Sequence, residues 1–166
     1  MIERIDYFRG QYNFLSNFYH SPFKASLYGT ATIFNSALEL VFNTNEHYFQ
    51  ASKATTFKEA KEVANARTPR HAKHLGNAID ARSDWDEIKL NVMLAGLRYK
   101  FAIPVLRDKL LATGDILLYE GNTWNDRYWG VTIYHSQRVG ENHLGRLLMQ
   151  VREELQIGGS YVVSNL

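Results

Sequence analysis

The stretch Ser83-Asp84-Trp85-Asp86-Glu87-Ile88-Lys89-Leu90-Asn91-Val92-Met93-Leu94-Ala95-Gly96-Leu97-Arg98-Tyr99 decides how the chain is read. Ser83 and Asp84 are both good caps, and Trp85, Ile88, Val92, Ala95 and Tyr99 recur at the helical period. The spacing predicts the longest helix of the chain, starting at Ser83 or Asp84. Upstream, Pro69 is a favoured first-turn residue and opens a helix running to Gly76. Another helix is predicted over 57–66. Before it, Asn43 and Glu46 have capping-box spacing and predict a helix that starts near Asn43 and carries Glu46 to Ala54. The first 35 residues are irregular and aromatic. Phe23-Lys24-Ala25 and Thr32-Ile33-Phe34, separated by Tyr28-Gly29, read as a short hairpin.

Downstream, Pro104 opens a short helix that stops at Thr113-Gly114. Ile116-Leu117-Leu118-Tyr119 is a continuous apolar run between Asp115 and Glu120 and predicts a buried strand. Leu144, Leu147, Leu148, Val151 and Leu155 form one apolar stripe of a last helix, ended by Gly158-Gly159. The expected fold is α+β, a predominantly helical single domain over residues 1–166 with a small β-sheet. It lacks the regular strand–helix alternation of a doubly wound fold.

A chain of 166 residues is the size of one domain and buries about two-thirds of its unfolded surface. With no cysteine there is no disulfide framework, thiolate metal site or Cys nucleophile. The opening Met1-Ile2-Glu3-Arg4-Ile5-Asp6 has mixed charge and no apolar core, so no signal peptide is read. No apolar run approaches the roughly 18 residues of a membrane span, so no membrane partner is expected and the compartment is taken as cytoplasmic. A net charge of +2 does not by itself imply nucleic-acid binding.

Nine Phe, ten Tyr and three Trp are many rings for this length, and core filling accounts for most of them. Several, however, stand in polar company, in Asn13-Phe14-Leu15-Ser16-Asn17-Phe18-Tyr19 and Asn122-Thr123-Trp124-Asn125-Asp126-Arg127-Tyr128-Trp129-Gly130. Such mixtures suit a pocket that stacks a base and hydrogen-bonds its edge. Phosphate-loop, dinucleotide, nucleophile-elbow and zincin motifs are all missing. His71 and His74 share a helix face at i, i+3, but no third ligand lies nearby in sequence, and a solvated pair is the simpler reading.

Glu46, Gln50 and Lys53 follow at i, i+4 and i+7, so one face offers an acid, an amide and a cation to a ligand. Partial burial would suit the acid to proton transfer near neutral pH, although Glu46 could simply complete a cap. Asp126 lies in a loop flanked by Trp124 and Trp129, either as a binding residue or as the cap of a turn. Glu120 closes the predicted strand and either points to the same region or is solvated. Asn142 is a natural N-cap, and the amides of the turn it opens would receive a phosphate, unless it is a plain cap.

Taken in order, seven stretches resemble the NADAR (YbiA-like) superfamily. They are 14–18, 46–53, Trp85 with Lys100-Phe101, 110–114, Glu120, 125–130 and 142–149. The resemblance implies an N-glycosidase that hydrolyses a ribosyl–nitrogen bond of a nucleotide-like substrate. Phosphoribosylamino-pyrimidine intermediates of riboflavin biosynthesis are the substrate class implied first. ADP-ribose on a modified guanine is the alternative, with nucleic acid a partner only in that form. A non-catalytic module binding NAD or ADP-ribose is a further alternative.

The family's catalytic glutamate falls on Glu46, its tryptophan on Trp85, and its Asn-Asp…Trp-Gly loop on Asn125, Asp126, Trp129 and Gly130. The C1′–N bond would break with oxocarbenium character. Glu46 would stabilise that cation or activate water, and Asp126 would orient a ribose hydroxyl or the water. Trp85 and Trp129 would stack, and Asn17, Gln50 and Asn125 would read polar edges. Phe14, Ser16, Lys53, Glu120, Gly130 and Asn142 complete the expected binding set. No metal or organic cofactor is called for. The family pattern often has Gly-Arg where this chain has Gly76-Asn77, so Arg67, Arg82 or Lys53 would have to meet a phosphate instead.

Overall fold

In this computed structural model, which describes residues 3–29 and 38–158, the predicted longest helix runs from Trp85 to Phe101. Arg82 and Asp84 supply the carbonyls for its first turn, taking the amides of Trp85, Glu87 and Ile88. The chain divides into two compact units, one of 1–16 with 101–161 and one of 17–100 with 162–166.

The unit of residues 17–100 is built around three short helices and a two-stranded sheet. Strands β2 (Phe23–Ser26) and β3 (Glu39–Phe42) pair antiparallel, with Phe23 opposite Phe42 and Ser26 opposite Glu39. The hairpin predicted from Phe23-Lys24-Ala25 therefore closes on Glu39–Phe42. Its expected second strand, Thr32-Ile33-Phe34, lies outside the described residues. Phe23, Phe42, Tyr48 and Tyr99 form an aromatic cluster, with Phe23 stacked on Tyr99 at 5.6 Å and Phe42 edge-on to Tyr48 at 5.2 Å.

Helix α1 (Asn45–Ala51) follows β3 and is capped by Thr44, not by Asn43. The Thr44 hydroxyl accepts the His47 amide at 3.3 Å and also meets His47 Nδ1 at 2.7 Å, whereas the Asn43 carbonyl accepts from the Ser21 amide. His47 Nε2 donates to the Ala66 carbonyl at 3.0 Å, so Nδ1 accepts from Thr44 in the neutral ring. Helix α2 (Phe57–Ala64) has the capping box that the sequence reading placed on α1: Thr56 and Glu59 bond reciprocally. Helix α3 (Pro69–Ala78) runs two residues past its predicted end. α1 packs against both, and the long helix α4 (Trp85–Phe101) buries Val92, Met93 and Leu97 rather than the whole Trp85–Tyr99 stripe. Gly96 lets α4 approach α1. A Cβ there would press on Asn45 Oδ1 and lie 2.7 Å from Tyr48 Cδ1.

In the unit of 1–16 and 101–161, β1 (Arg4–Ile5) pairs parallel with β4 (Leu117–Leu118), the core of the predicted apolar strand. Helix α5 (Pro104–Leu111) and helix α6 (His143–Gln156) pack together. Leu144, Leu148 and Val151 are buried as the stripe predicts, while Leu147 and Leu155 are only partly covered. Arg152 is buried too, its guanidinium donating to Thr113 Oγ1 and the Ile116 carbonyl. A second sheet joins β5 (Gly121–Asn122) parallel to β6 (Val131–Tyr134), which turns back into β7 (Gln137–Val139). His135 and Ser136 make that turn with φ of 44° and 66°, the left-handed pair that a two-residue hairpin needs. Among the described residues no helix is long and apolar enough to cross a membrane.

Candidate functional site

The expected site residues fall into two groups. Asn17, Glu46, Gln50, Lys53 and Trp85 belong to one unit; Phe14, Ser16, Glu120, Asn125, Asp126, Trp129, Gly130 and Asn142 belong to the other.

The first group is organised by α1. Glu46 sits in its first turn, where the helix dipole favours a negative charge, and is 6% exposed. Its amide donates to the Asn17 carbonyl at 3.0 Å, which ties the residue-17 segment to the helix start. One turn on, Gln50 Nε2 donates to Glu46 Oε1 at 2.7 Å. Gln50 is buried, and its own Oε1 has no hydrogen-bond partner. Asn45, which the sequence reading did not single out, is fully buried. Its Nδ2 donates to Asn17 Oδ1 at 2.8 Å, and its Oδ1 is a second unpartnered acceptor.

Lys53 follows the end of α1, half-buried. Its ammonium lies 5.9 Å from the Phe49 ring centre and 5.7 Å from that of Trp85, and those two rings meet edge-on at 4.9 Å. Nζ donates to Asn77 Oδ1 at 3.1 Å. Desolvation is the largest influence on this amine and holds it below the usual lysine range. The neighbouring Lys73 charge adds to that effect and Glu46 opposes it. Of the other cations expected to meet a phosphate, Arg82 is committed. It forms a bidentate pair with Asp84 and donates to the Tyr28 and Gly29 carbonyls. Arg67 is exposed.

The second group centres on the loop 122–130. Asn122, also missed from sequence, is buried and laces the loop: Oδ1 accepts the Asp126 amide at 2.9 Å and Nδ2 donates to the Asp126 carbonyl at 2.7 Å. Asp126 Oδ1 accepts the amides of Tyr128 and Trp129 at 3.2 and 3.0 Å, so that oxygen caps its own turn. Asn125 is exposed at φ 64°, and Trp129 is half-buried, edge-on to Tyr128. Trp124 is 63% exposed.

Asn142 stands at the N-cap position of α6 but does not cap it with its side chain. Its φ is 54°, and the buried amide instead holds the Leu118 carbonyl at 2.8 Å and the Glu120 amide at 3.1 Å. The first α6 amides, His143 and Leu144, donate to the Tyr128 and Trp129 carbonyls. Those two amides, which the sequence reading offered to a phosphate, are bonded inside the protein. Phe14 is buried, with Lys109 Nζ 5.7 Å from its ring centre, and the Ser16 amide closes the turn before it. Gly130 lies where any side chain would press on the Glu120 carbonyl. His71 and His74 are both exposed, and among the described residues no group of three His, Cys, Asp or Glu could hold a metal.

A model of the NADAR domain matches residues 7–156. An N-glycosidase of Nostoc punctiforme is 40% identical over 119 residues, which are 68% of this chain and 74% of that protein. The N-glycosidase YbiA of Escherichia coli is 40% identical over 117 residues, 69% of this chain and 71% of its own. A riboflavin biosynthesis protein of Vibrio vulnificus is 35% identical over 153 residues, 90% of this chain but 37% of that longer protein. The NMR structure of the E. coli protein YbiA superimposes with a TM-score of 0.72 at 34% identity, covering 95% of this chain and 88% of that one.

Proposed function

Because the chain belongs to the NADAR domain family, we infer that it is an N-glycosidase, and we propose that it hydrolyses the bond between a ribosyl C1′ and nitrogen in a nucleotide-like substrate. The observation that carries this reading is Glu46: a carboxyl group buried in the first turn of α1, on the helix that brings Phe49, and just past its end Lys53, beside Trp85. An N-glycosidic bond breaks with positive charge building on C1′ and the ring oxygen. The bonding pair leaves with the nitrogen, which takes up a proton. Water adds its oxygen to C1′ and gives up a proton. A buried anion stabilises that charge far better than one in water, and it can receive the water's proton.

Glu46 fills this role. Trp85 provides an aromatic wall for the base or ribose, and Lys53 is the cation for a phosphate, taking the place of the family arginine where this chain has Asn77. Asp126 is assigned no step: it lies in the other unit, with Oδ1 given to the Tyr128 and Trp129 amides. The relative of V. vulnificus named for riboflavin biosynthesis favours phosphoribosylamino-pyrimidine intermediates of that pathway as the substrate class.

The test is a product assay of purified protein against phosphoribosylamino-pyrimidine, ADP-ribosylated guanine in DNA, and NAD, with Glu46→Gln as control. Release of ribose 5-phosphate from the first substrate, lost in Glu46→Gln, is the expected result. Turnover of the guanine adduct alone would move the substrate class to ADP-ribose. Binding without cleavage of any of the three would make the chain a binding module.

A further inference from the structure

The amide of Gln50 has two ends, and only one of them has a hydrogen-bond partner. Nε2 donates to Glu46 Oε1 at 2.7 Å, while Oε1 is buried against α3 with no donor. A buried acceptor without a partner is unfavourable and calls for a reason. Turning the amide over would bring its oxygen against the Glu46 carboxylate oxygen, which repels unless that acid holds a proton. It would also bury both N–H donors against α3. In the arrangement seen, Glu46 Oε1 is the acceptor and the Gln50 N–H the donor.

The position of α3 follows from the same contact. At Gly76 a Cβ would press on Gln50 Oε1 and lie 2.7 Å from Gln50 Cβ and 3.0 Å from Cδ. Glycine there is what lets α3 lie over the glutamine, and any side chain would displace the amide. On an exposed helix an i, i+4 pair of this kind is a minor contact. Here both partners are buried, at 3% and 6% exposure, and the orphaned oxygen is accepted to keep the N–H on Glu46.

We propose that Gln50 is a positioning residue for the hydrolysis, fixing the orientation of the Glu46 carboxyl group through its hold on Oε1, and that Gly76 makes room for it. On this proposal Gln50 acts on Glu46 rather than reading the substrate's polar edge. The proposal rests on Glu46 acting as the catalytic carboxylate, and Gln50 works through it without touching the substrate.

The experiment is steady-state kinetics of Gln50→Met, with its melting temperature, on the substrate that the product assay identifies. Met matches the length of the side chain and removes the donor. A freed carboxylate need shift by only about 1 Å for a loss on the order of 10²-fold. That loss is expected in kcat, with KM near that of the unaltered protein. Gly76→Ala, which keeps the amide but moves it, should give the same split. Near-normal kcat in Gln50→Met overturns the proposal. So does a raised KM at unchanged kcat, which would put the amide on the substrate. Failure of both variants to fold also counts against it, because the pair would then serve the structure alone. The parent reading fails separately: Glu46→Gln with near-normal turnover sinks that reading, whereas an inactive Glu46→Gln beside a fully active Gln50→Met sinks only this one.

Discussion

Glu46 and Asp126 look alike in the sequence, each an acid among aromatic residues and amides, but the two regions use them differently. In α1 the carboxylate takes a side-chain donor, Gln50, placed on the same helix face, and the aromatic pair Phe49 and Trp85 lies beside Lys53. In the loop 122–130 the carboxylate spends Oδ1 on the amides of Tyr128 and Trp129, and Asn122 holds the Asp126 backbone from the other side. What an acid can do chemically is set by what its oxygens already bond, and ring neighbours alone do not reveal it. A helix leaves its side chains available to a ligand, because backbone satisfies backbone. A loop must borrow side chains to satisfy its own N–H groups.

The largest effect that separates the two acids is on rate. Glu46→Gln should lower kcat roughly 10²–10⁴-fold, the usual scale for losing proton transfer by a positioned group, with the fold and much of the binding kept. Asp126→Asn retains a carbonyl oxygen for the turn and should lose far less. Equal losses in the two variants, measured on one substrate, would erase the distinction drawn between them.

Next in size is the support beneath the loop. Leu148 has no exposed surface in α6, the helix whose first amides bond the loop carbonyls, and Leu148→Ala should cost roughly 2–5 kcal/mol of stability. An unchanged melting temperature would mean that the buried face of α6 is misassigned. Asn122→Ala should cost about 1–3 kcal/mol, since it leaves buried loop groups without partners, and it should leave Glu46 chemistry in place. Denaturant titration and kinetics of the one variant check both halves of that statement. The two regions also differ in their tryptophans. Trp85→Ala should weaken substrate binding by roughly 1–3 kcal/mol, the worth of stacking one base, whereas Trp124→Ala, at a largely exposed ring, should change little. A binding isotherm for each orders them.

The smallest effect concerns pH. Burial, the main cause, keeps the His47 imidazole below the usual histidine range; the nearby charges of His20 and His71 act in the same direction, and the Ala66 carbonyl opposes them. The unfolded chain therefore binds this proton more tightly. The stability this site contributes is complete above the ordinary histidine value of about 6.5 and is lost as pH falls below it toward the folded value. Denaturant midpoints between pH 5 and pH 8 should decline on the acid side, and His47→Gln should flatten that slope; an unflattened slope assigns the acid sensitivity to other groups.

The sequence disclosed elements wherever a period had room to repeat. The α6 stripe spans four turns, and Leu144, Leu148 and Val151 are buried as the pattern requires. It disclosed less where one residue decides. Asn43 and Thr44 are adjacent cap formers, and the Asn43–Glu46 spacing favoured the first. Thr44 wins because its hydroxyl serves both the amide and the ring of His47. β1 and β4 are paired over two residues each and lie more than a hundred residues apart, beyond any local pattern. The β6–β7 turn uses His135-Ser136 where Asn-Gly would have announced a hairpin. At the site, the i, i+4 pair of Glu46 and Gln50 could be read directly, although α1 ends at Ala51, short of the predicted Ala54 and before Lys53; the use of Gln50 could not. It depends on Gly76, on a different helix, and only the packing of α3 on α1 brings the two together.

Helix α1 has seven residues, about half the roughly 12–15 at which an isolated helix begins to hold in water. Its turns exist because Thr44 caps them and because Gly76 and Gly96 let two other helices grip it. A synthetic peptide of residues 43–54 should therefore be a random coil by circular dichroism. The proposed catalytic face cannot be transplanted as a segment into another scaffold; it has to travel with α3 and α4. Heat should silence the enzyme and melt this unit together, without an interval in which an ordered but inactive protein accumulates.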